Sequence, residues 1–304
     1  MLVKEFVSDN ENEIRIDVFL NNHIEELSRT YIQKLIKDGY ASVNGKPIKN
    51  NFKLKPLDKV KLNIPETSEP DIIGEDIQLD IVYEDDDVIL INKPKNMVVH
   101  PAPGHYSGTL VNALMNHCKN LSGINGVLRP GIVHRIDMDT TGIIIACKND
   151  LAHKFISEQL KVHSIKRKYK AVVHGNLKED EGVIDKPIGR HDIDRKKMSV
   201  NAKHSKQAIT HYKVIERFKS ATLIECELET GRTHQIRVHM ASINHPLYGD
   251  SVYGYDKEKY QLDGQVLHAE TLGFIHPTTK EYMEFNVEIP EYFKELLRKL
   301  RLET

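Results

Sequence analysis

The chain has 304 residues, 39% of them apolar and 29% charged, with a net charge of −1. That length exceeds one small core and fits two or three domains, and the composition is that of a soluble globular protein. No stretch approaches the roughly 20 apolar residues of a bilayer crossing, so a membrane span is excluded, and MLVKEFVSDNENEIRID at the N-terminus lacks the apolar core of a signal peptide.

The first residues read as a compact unit. Ile16, Phe19, Leu20, Ile24 and Leu27 have helical spacing, and Ser28 can cap a second helix with the stripe Tyr31, Ile32, Leu35 and Ile36, ended at Gly39. Asn44-Gly45 is a hairpin signal, and DKVKLNIP alternates as a strand. Residues 1–64 are therefore expected as a small α+β module. Residues 65–76, acidic and broken by Pro65, Pro70 and Gly74, read as an extended linker.

From 77 to 304 the texture changes. LDIVYEDDDVILINKP predicts a hairpin, Leu110 to Cys118 a helix, GIIIACKN a buried strand, and Ala152 to Leu160 another helix. YKAVVHG, AITHYKVIERF, ATLIECELET, HQIRVHM and YMEFNVEIP read as strands, and PEYFKELLRKL as a closing helix. Many strands with few helices between them predict a large, mostly antiparallel mixed-sheet α+β domain.

Charge is unevenly spread. From Glu66 to Asp87 every charged residue is acidic, whereas Lys166-Arg167-Lys168 with Lys170, and Arg195-Lys196-Lys197, are basic clusters. A neutral total can conceal a basic face. The scattered cysteines Cys118, Cys147 and Cys226 form no CxxC pair and point to a reduced, cytoplasmic protein. Phosphate-loop, dinucleotide and HExxH fingerprints are missing. His234 and His239, five apart on an apparent strand, face opposite ways and make a poor metal pair. The expected chemistry uses side chains alone, with no metal and no cofactor.

Four local runs carry chemical potential. In GIVHRIDMDTTGIIIACK, Asp137 stands at the mouth of a sheet beside cations; the plainer reading is a turn whose aspartates accept backbone hydrogen bonds. In LETGRTHQIRVH, Gly231 permits a tight turn and Arg232 begins a strand, free to pair with a carboxylate or simply to face solvent. LINKPKNMVVHP runs a strand into Lys93-Pro94. KRKYKAVVHG sets Tyr169 among cations, either as core or as a platform for a nucleobase.

Together these runs, with HPLYGD and LHAETLGFIHP, resemble the RluA/RluD family of RNA pseudouridine synthases over residues of about 77 to 300. The family's HRLD reads HRID here, with Ile136, and its TSG reads TTG. Residues Ile14 to Ile64 resemble the RNA-binding domain named after ribosomal protein S-four. The resemblance implies an isomerase that breaks the N1–C1′ bond of uridine and rejoins the base through C5. It also implies Asp137 as the catalytic carboxylate, by covalent attack or by removal of a sugar proton. Arg232 is implied as its cationic partner, Tyr169 lies on the target base, and Arg135 fills the space a flipped base vacates. His134, Ile236 and Leu267 become pocket wall, with Lys93 shaping the site. Arg29, Lys34 and Lys37 become phosphate contacts. Large-subunit ribosomal RNA, free or in a precursor particle, is the implied partner of a monomer. A tRNA or dual target is the alternative, and a non-catalytic ribosome-assembly factor is the reading from another class.

Overall fold

In the computed structural model, the N-terminal chain forms a four-stranded sheet against two helices. Residues 2–8, 13–24, 27, 29–64, 72–102, 104–124, 129–194, 197–255 and 257–303 are described. Contacts divide the chain into two units, Met1–Glu69 and Pro70–Thr304.

The first unit runs β1 (Leu2–Val7), β2 (Ile14–Arg15), α1 (Ile16–His23), α2 (Arg29–Lys37), β3 (Ala41–Val43), β4 (Lys46–Pro47), β5 (Lys53–Leu54) and β6 (Lys59–Ile64). Its sheet has the order β1-β6-β3-β4. Ile16, Phe19 and Leu20 of α1 and Ile32, Leu35 and Ile36 of α2 bury their stripes against Val43, Leu54, Val60 and Leu62. Asn44 and Gly45 both take positive φ, as a two-residue turn with the twist of its strands demands. Ser28, proposed as a cap, lies outside the described residues, as do 65–71 of the expected linker and Arg195-Lys196. The rest of that linker is fastened down: Asn112 donates to Ile73 O at 2.9 Å, and the Glu75 carboxylate accepts from Gly108 N.

The second unit contains β7 (Ile81–Glu84), β8 (Val88–Lys93), α3 (Leu110–His117), β9 (Thr141–Cys147), α4 (Asp150–Lys161) and β10 (Lys166–His174). Next come β11 (Glu181–Asp185), β12 (Ile188–Arg190), β13 (Met198–Val200), β14 (Ile209–Arg217) and β15 (Ala221–Leu228). The chain finishes with α5 (Gln235–Ala241), β16 (Leu267–Ile275), β17 (Tyr282–Asn286) and α6 (Glu291–Arg301). The main sheet is ordered β11-β14-β15-β10-β16-β9-β8-β7, with β17 also on β16. Its pairs are antiparallel except β16 with β9. Both faces of its centre are covered. On β10, Ala171 and Val173 join the core with α3 and α4, whereas Val172 points into a second cluster with Phe293, Leu296 and Leu297 of α6. This explains the unbroken apolar runs of β8 and β9.

One predicted strand is a helix. HQIRVHM forms α5 because His234 turns left-handed at φ 56° and Gln235 Oε1 accepts from Arg232 N at 2.9 Å and from the Thr230 hydroxyl at 2.8 Å. The alternation of polar and apolar residues misled because all of Gln235 to Met240 are buried. A polar residue reports the strand period only when it faces water.

Candidate active site

The HRID run is a loop that enters β9. Ile136 is buried beneath it and Thr140 N closes a turn on Asp137 O at 3.1 Å. The carboxylate of Asp137 is left 17% exposed at the end of the sheet. Beyond it, Gly142 takes φ +108°, and a Cβ there would lie 2.1 Å from Ala269 O. Only glycine lets β9 and β16 approach so closely. Lys93 is fully buried, and its ammonium donates to the carbonyls of Pro94, Met97 and Met138 at 2.8–2.9 Å. It thus pins the residue next to Asp137. Burial pushes this ammonium down to about 7, against the pull of Asp139 and Asp137. His134 Nε2 accepts from Ile145 N at 3.2 Å. Burial, then the charge of Arg167, push the imidazole down to about 3, so it is neutral.

The cation beside Asp137 is Arg237, not Arg232. Arg237 Nη1 donates to Asp137 Oδ2 at 2.9 Å, while its Nε and Nη2 fork onto the fully buried Asp250 at 2.7 and 2.8 Å. Asp250 Oδ1 also accepts from the amides of Val252 and Tyr253. Burial alone would lower the Arg237 pKa; the hydrogen bonds and charges of Asp250 and Asp137 outweigh it and raise it. The guanidinium lies 5.2 Å over the Tyr253 ring. The Tyr253 hydroxyl accepts from Met198 N and lies 2.9 Å from His234 Nδ1. Donating there, it leaves the ring's proton on Nε2, 3.8 Å from Asp137 Oδ1. Burial holds His234 below its ordinary pKa. Arg232 is displaced because α5 is a helix: its Nε donates instead to Gln207 O at 2.9 Å, on the rim.

These groups open into a cavity of about 430 Å³, within the usual range for small-molecule sites. Asp137, Tyr169, Arg135, His134, Arg232, Ile236 and Leu267 all line it. Lys93 does not; it lies behind the HRID loop. Tyr169 is 8% exposed, and burial pushes its phenol up, so it stays protonated at neutral pH. Arg237, Asp250 and His234 were missed as site residues, although HQIRVH and HPLYGD contain them. The spacing alone does not say which of two arginines in LETGRTHQIRVH turns inward.

In the first unit, Arg29 is committed to the buried Asp17, which also accepts from Arg15 and Gln33. Burial pushes that carboxyl up, but these bonds outweigh it and hold it at about 2. Lys34 and Lys37 are exposed. Elsewhere Glu84, His117 and Cys118 bring three potential metal-binding atoms within 4.8 Å. Glu84 is already paired with Lys148 and His117, and burial pushes the Cys118 thiol up to about 11, so the trio reads as an ion-pair cluster. No helix among the described residues is long and apolar enough to cross a membrane.

Residues 87–242 match the family described as "RNA pseudouridylate synthase", and residues 14–60 match the S4 domain. The chain is 52% identical to "Uncharacterized RNA pseudouridine synthase YlyB" of Bacillus subtilis, over 97% of this chain and 96% of that protein. It is 44% identical to "Ribosomal large subunit pseudouridine synthase D" of Zymomonas mobilis, over 95% and 94%. Among solved structures, "Human RNA Pseudouridylate Synthase Domain Containing 1" shares the fold, with a TM-score of 0.59 at 22% identity over 75% of this chain and 96% of that one.

Proposed function

The chain belongs to the RNA pseudouridylate synthase family and isomerises uridine in RNA to pseudouridine; from that premise we propose that Asp137 is the reacting carboxylate, that no cofactor takes part, and that the substrate is large-subunit ribosomal RNA. The observation that carries this reading is the Arg237 guanidinium, anchored on one carboxylate and offering its remaining arm to Asp137 at the mouth of a nucleoside-sized cavity. Either role, adding to C1′ or removing a sugar proton, needs a carboxylate held in one place, and the Arg237 guanidinium holds Asp137 at 2.9 Å. Tyr169 stacks on the flipped base, and Arg135, exposed at the rim, fills the gap left in the RNA. The N1–C1′ bond breaks and the base turns; C5 bonds to C1′ as Asp137 leaves C1′ or returns the sugar proton, and the C5 proton is lost while N1 gains one.

The ribosomal assignment rests on the names of the Zymomonas mobilis and Neisseria meningitidis relatives. Because Arg29 is tied to Asp17, Lys34 and Lys37 of the S4 domain carry the phosphate contacts. The protein acts as a monomer in the reducing cytoplasm, which suits three buried free thiols.

Asp137→Asn is isosteric and removes only the charge. Tritium release from ribosomal RNA labelled at C5 of uridine should fall below a hundredth of wild type, with RNA affinity retained. More activity than about that hundredth, near the mildest loss for an acid–base residue, would unseat Asp137. Mapping pseudouridines in cells with and without the protein tests the substrate.

A further inference from the structure

Arg167 brings a second buried guanidinium to the cavity. It stands two residues before Tyr169 on β10, so both side chains leave the same face of the strand, and both line the cavity. Arg167 is 6% exposed, yet it makes no ion pair among the described residues. Its Nη2 donates to Glu229 O at 3.0 Å, and its Nε is buried without a partner. A guanidinium offers five N–H groups, and burying one without a carboxylate is costly unless something else compensates it. The chain does not relieve the charge locally. Gly231 passes so near that a Cβ on it would lie 2.6 Å from Arg167 Nη1, and Arg232 follows at once on the same rim. Burial lowers the pKa of Arg167 most; Tyr169 works against that shift, and the neighbouring charge of Arg232 adds to it.

The wall of the cavity repeats the imbalance. Arg135, Lys161, Arg167, Arg232 and Arg237 line it, and Asp137 is the sole acid among the described lining residues. Arg237 is matched by Asp137 and Asp250. Lys161 is paired with Glu158, whereas Arg135, Arg167 and Arg232 make no ion pair among the described residues.

We propose that Arg167, with Arg232 beside it, binds a phosphate of the RNA adjoining the flipped uridine. This rests on the reading of the cavity as a uridine site. One strand would then grip the nucleotide at two points, Tyr169 on the base and Arg167 on the backbone. A guanidinium's planar fork suits phosphate oxygens better than an ammonium does. The competing role is structural, with Arg167 only holding the Glu229 carbonyl and the turn into Gly231.

The test titrates the full chain with uridine, uridine 5′-monophosphate and uridine 3′-monophosphate at low salt, read by nuclear magnetic resonance, which reaches millimolar affinities. Wild type should prefer one monophosphate over uridine by about tenfold or more, the scale of a charge-assisted hydrogen bond. The preferred isomer shows on which side of the nucleotide the phosphate sits. Arg167→Gln should bring the ratio near one while uridine itself binds as before, and Arg167→Lys should keep part of it. A ratio unchanged in Arg167→Gln, or equal losses for uridine and monophosphates, would overturn the proposal in favour of the structural role. Should Arg167→Gln fail to fold by circular dichroism, the wild-type ratio decides, and equal binding of nucleoside and nucleotides sinks the idea. The two readings fail separately: absence of pseudouridine in RNA treated with wild type defeats the activity, whereas pseudouridine without phosphate preference defeats only this inference.

Discussion

Arg237→Gln should disable the protein in two measurable ways. The substitution deletes three charge-assisted bonds of 2.7, 2.8 and 2.9 Å and leaves a fully buried Asp250 without its cation. Removing one partner of a buried pair costs ~3–5 kcal/mol. At ~2–4 °C per kcal/mol for a domain of this size, Tm should fall by roughly 6–20 °C. Asp137 loses the cation that orients it, and a penalty of ~3 kcal/mol on the reacting state alone is about a hundredfold in rate. Arg237→Lys should recover only part of either quantity, because an ammonium cannot bridge two carboxylates with a planar fork. Arg232→Ala is the control. That residue is half-buried on the rim and its side chain bonds only to Gln207 O among the described residues, so Tm should move little and the loss should appear in RNA affinity. Thermal unfolding by circular dichroism and tritium release from C5-labelled RNA measure both quantities. If Arg237→Gln kept its Tm and a tenth of its activity, or if Arg232→Ala were the more damaging change, the pairing of Asp137 with Arg237 would have no catalytic meaning.

Tyr169→Phe should bind RNA and turn over nearly as wild type if the ring only stacks, whereas Tyr169→Leu should lose ~1–3 kcal/mol of binding; poor turnover by the Phe variant alone would instead assign the hydroxyl a proton-transfer role. His134 links stability to acid. Its folded pKa, about 3, lies below the ordinary 6.5, so between those values the unfolded chain takes up a proton that the folded one refuses. The stability it contributes is full above pH 6.5 and is lost as pH falls toward 3. His134→Gln should therefore lose less Tm than wild type between pH 6.5 and 5, and parallel curves would show that the ring is protonated in the fold.

Much of this protein is written locally. Asn44-Gly45 sets a hairpin because its positive φ values cost least there, and the stripes of α2, α4 and α6 follow from apolar spacing within single segments. The turn of β7 into β8 is likewise local, since Asp85 accepts from the amides of Asp87 and Val88. The HRID and KRKY runs mark Asp137 and Tyr169 as unusual, and the structure brings both to one cavity. What the sequence could not reveal depends on which side chains meet across the chain. Arg232 and Arg237 are five residues apart in one run, chemically alike, and equally free in principle to reach a carboxylate. Tertiary contacts choose between them. Thr230, Gln235 and a left-handed His234 start a helix where alternation suggested a strand, and that helix turns Arg237 onto Asp250 and Asp137. Burial of every residue from Gln235 to Met240 erased the contrast with water on which any periodic reading depends. The bonds that replaced that contrast join positions up to a hundred residues apart, so only the folded chain could assign the inward arginine.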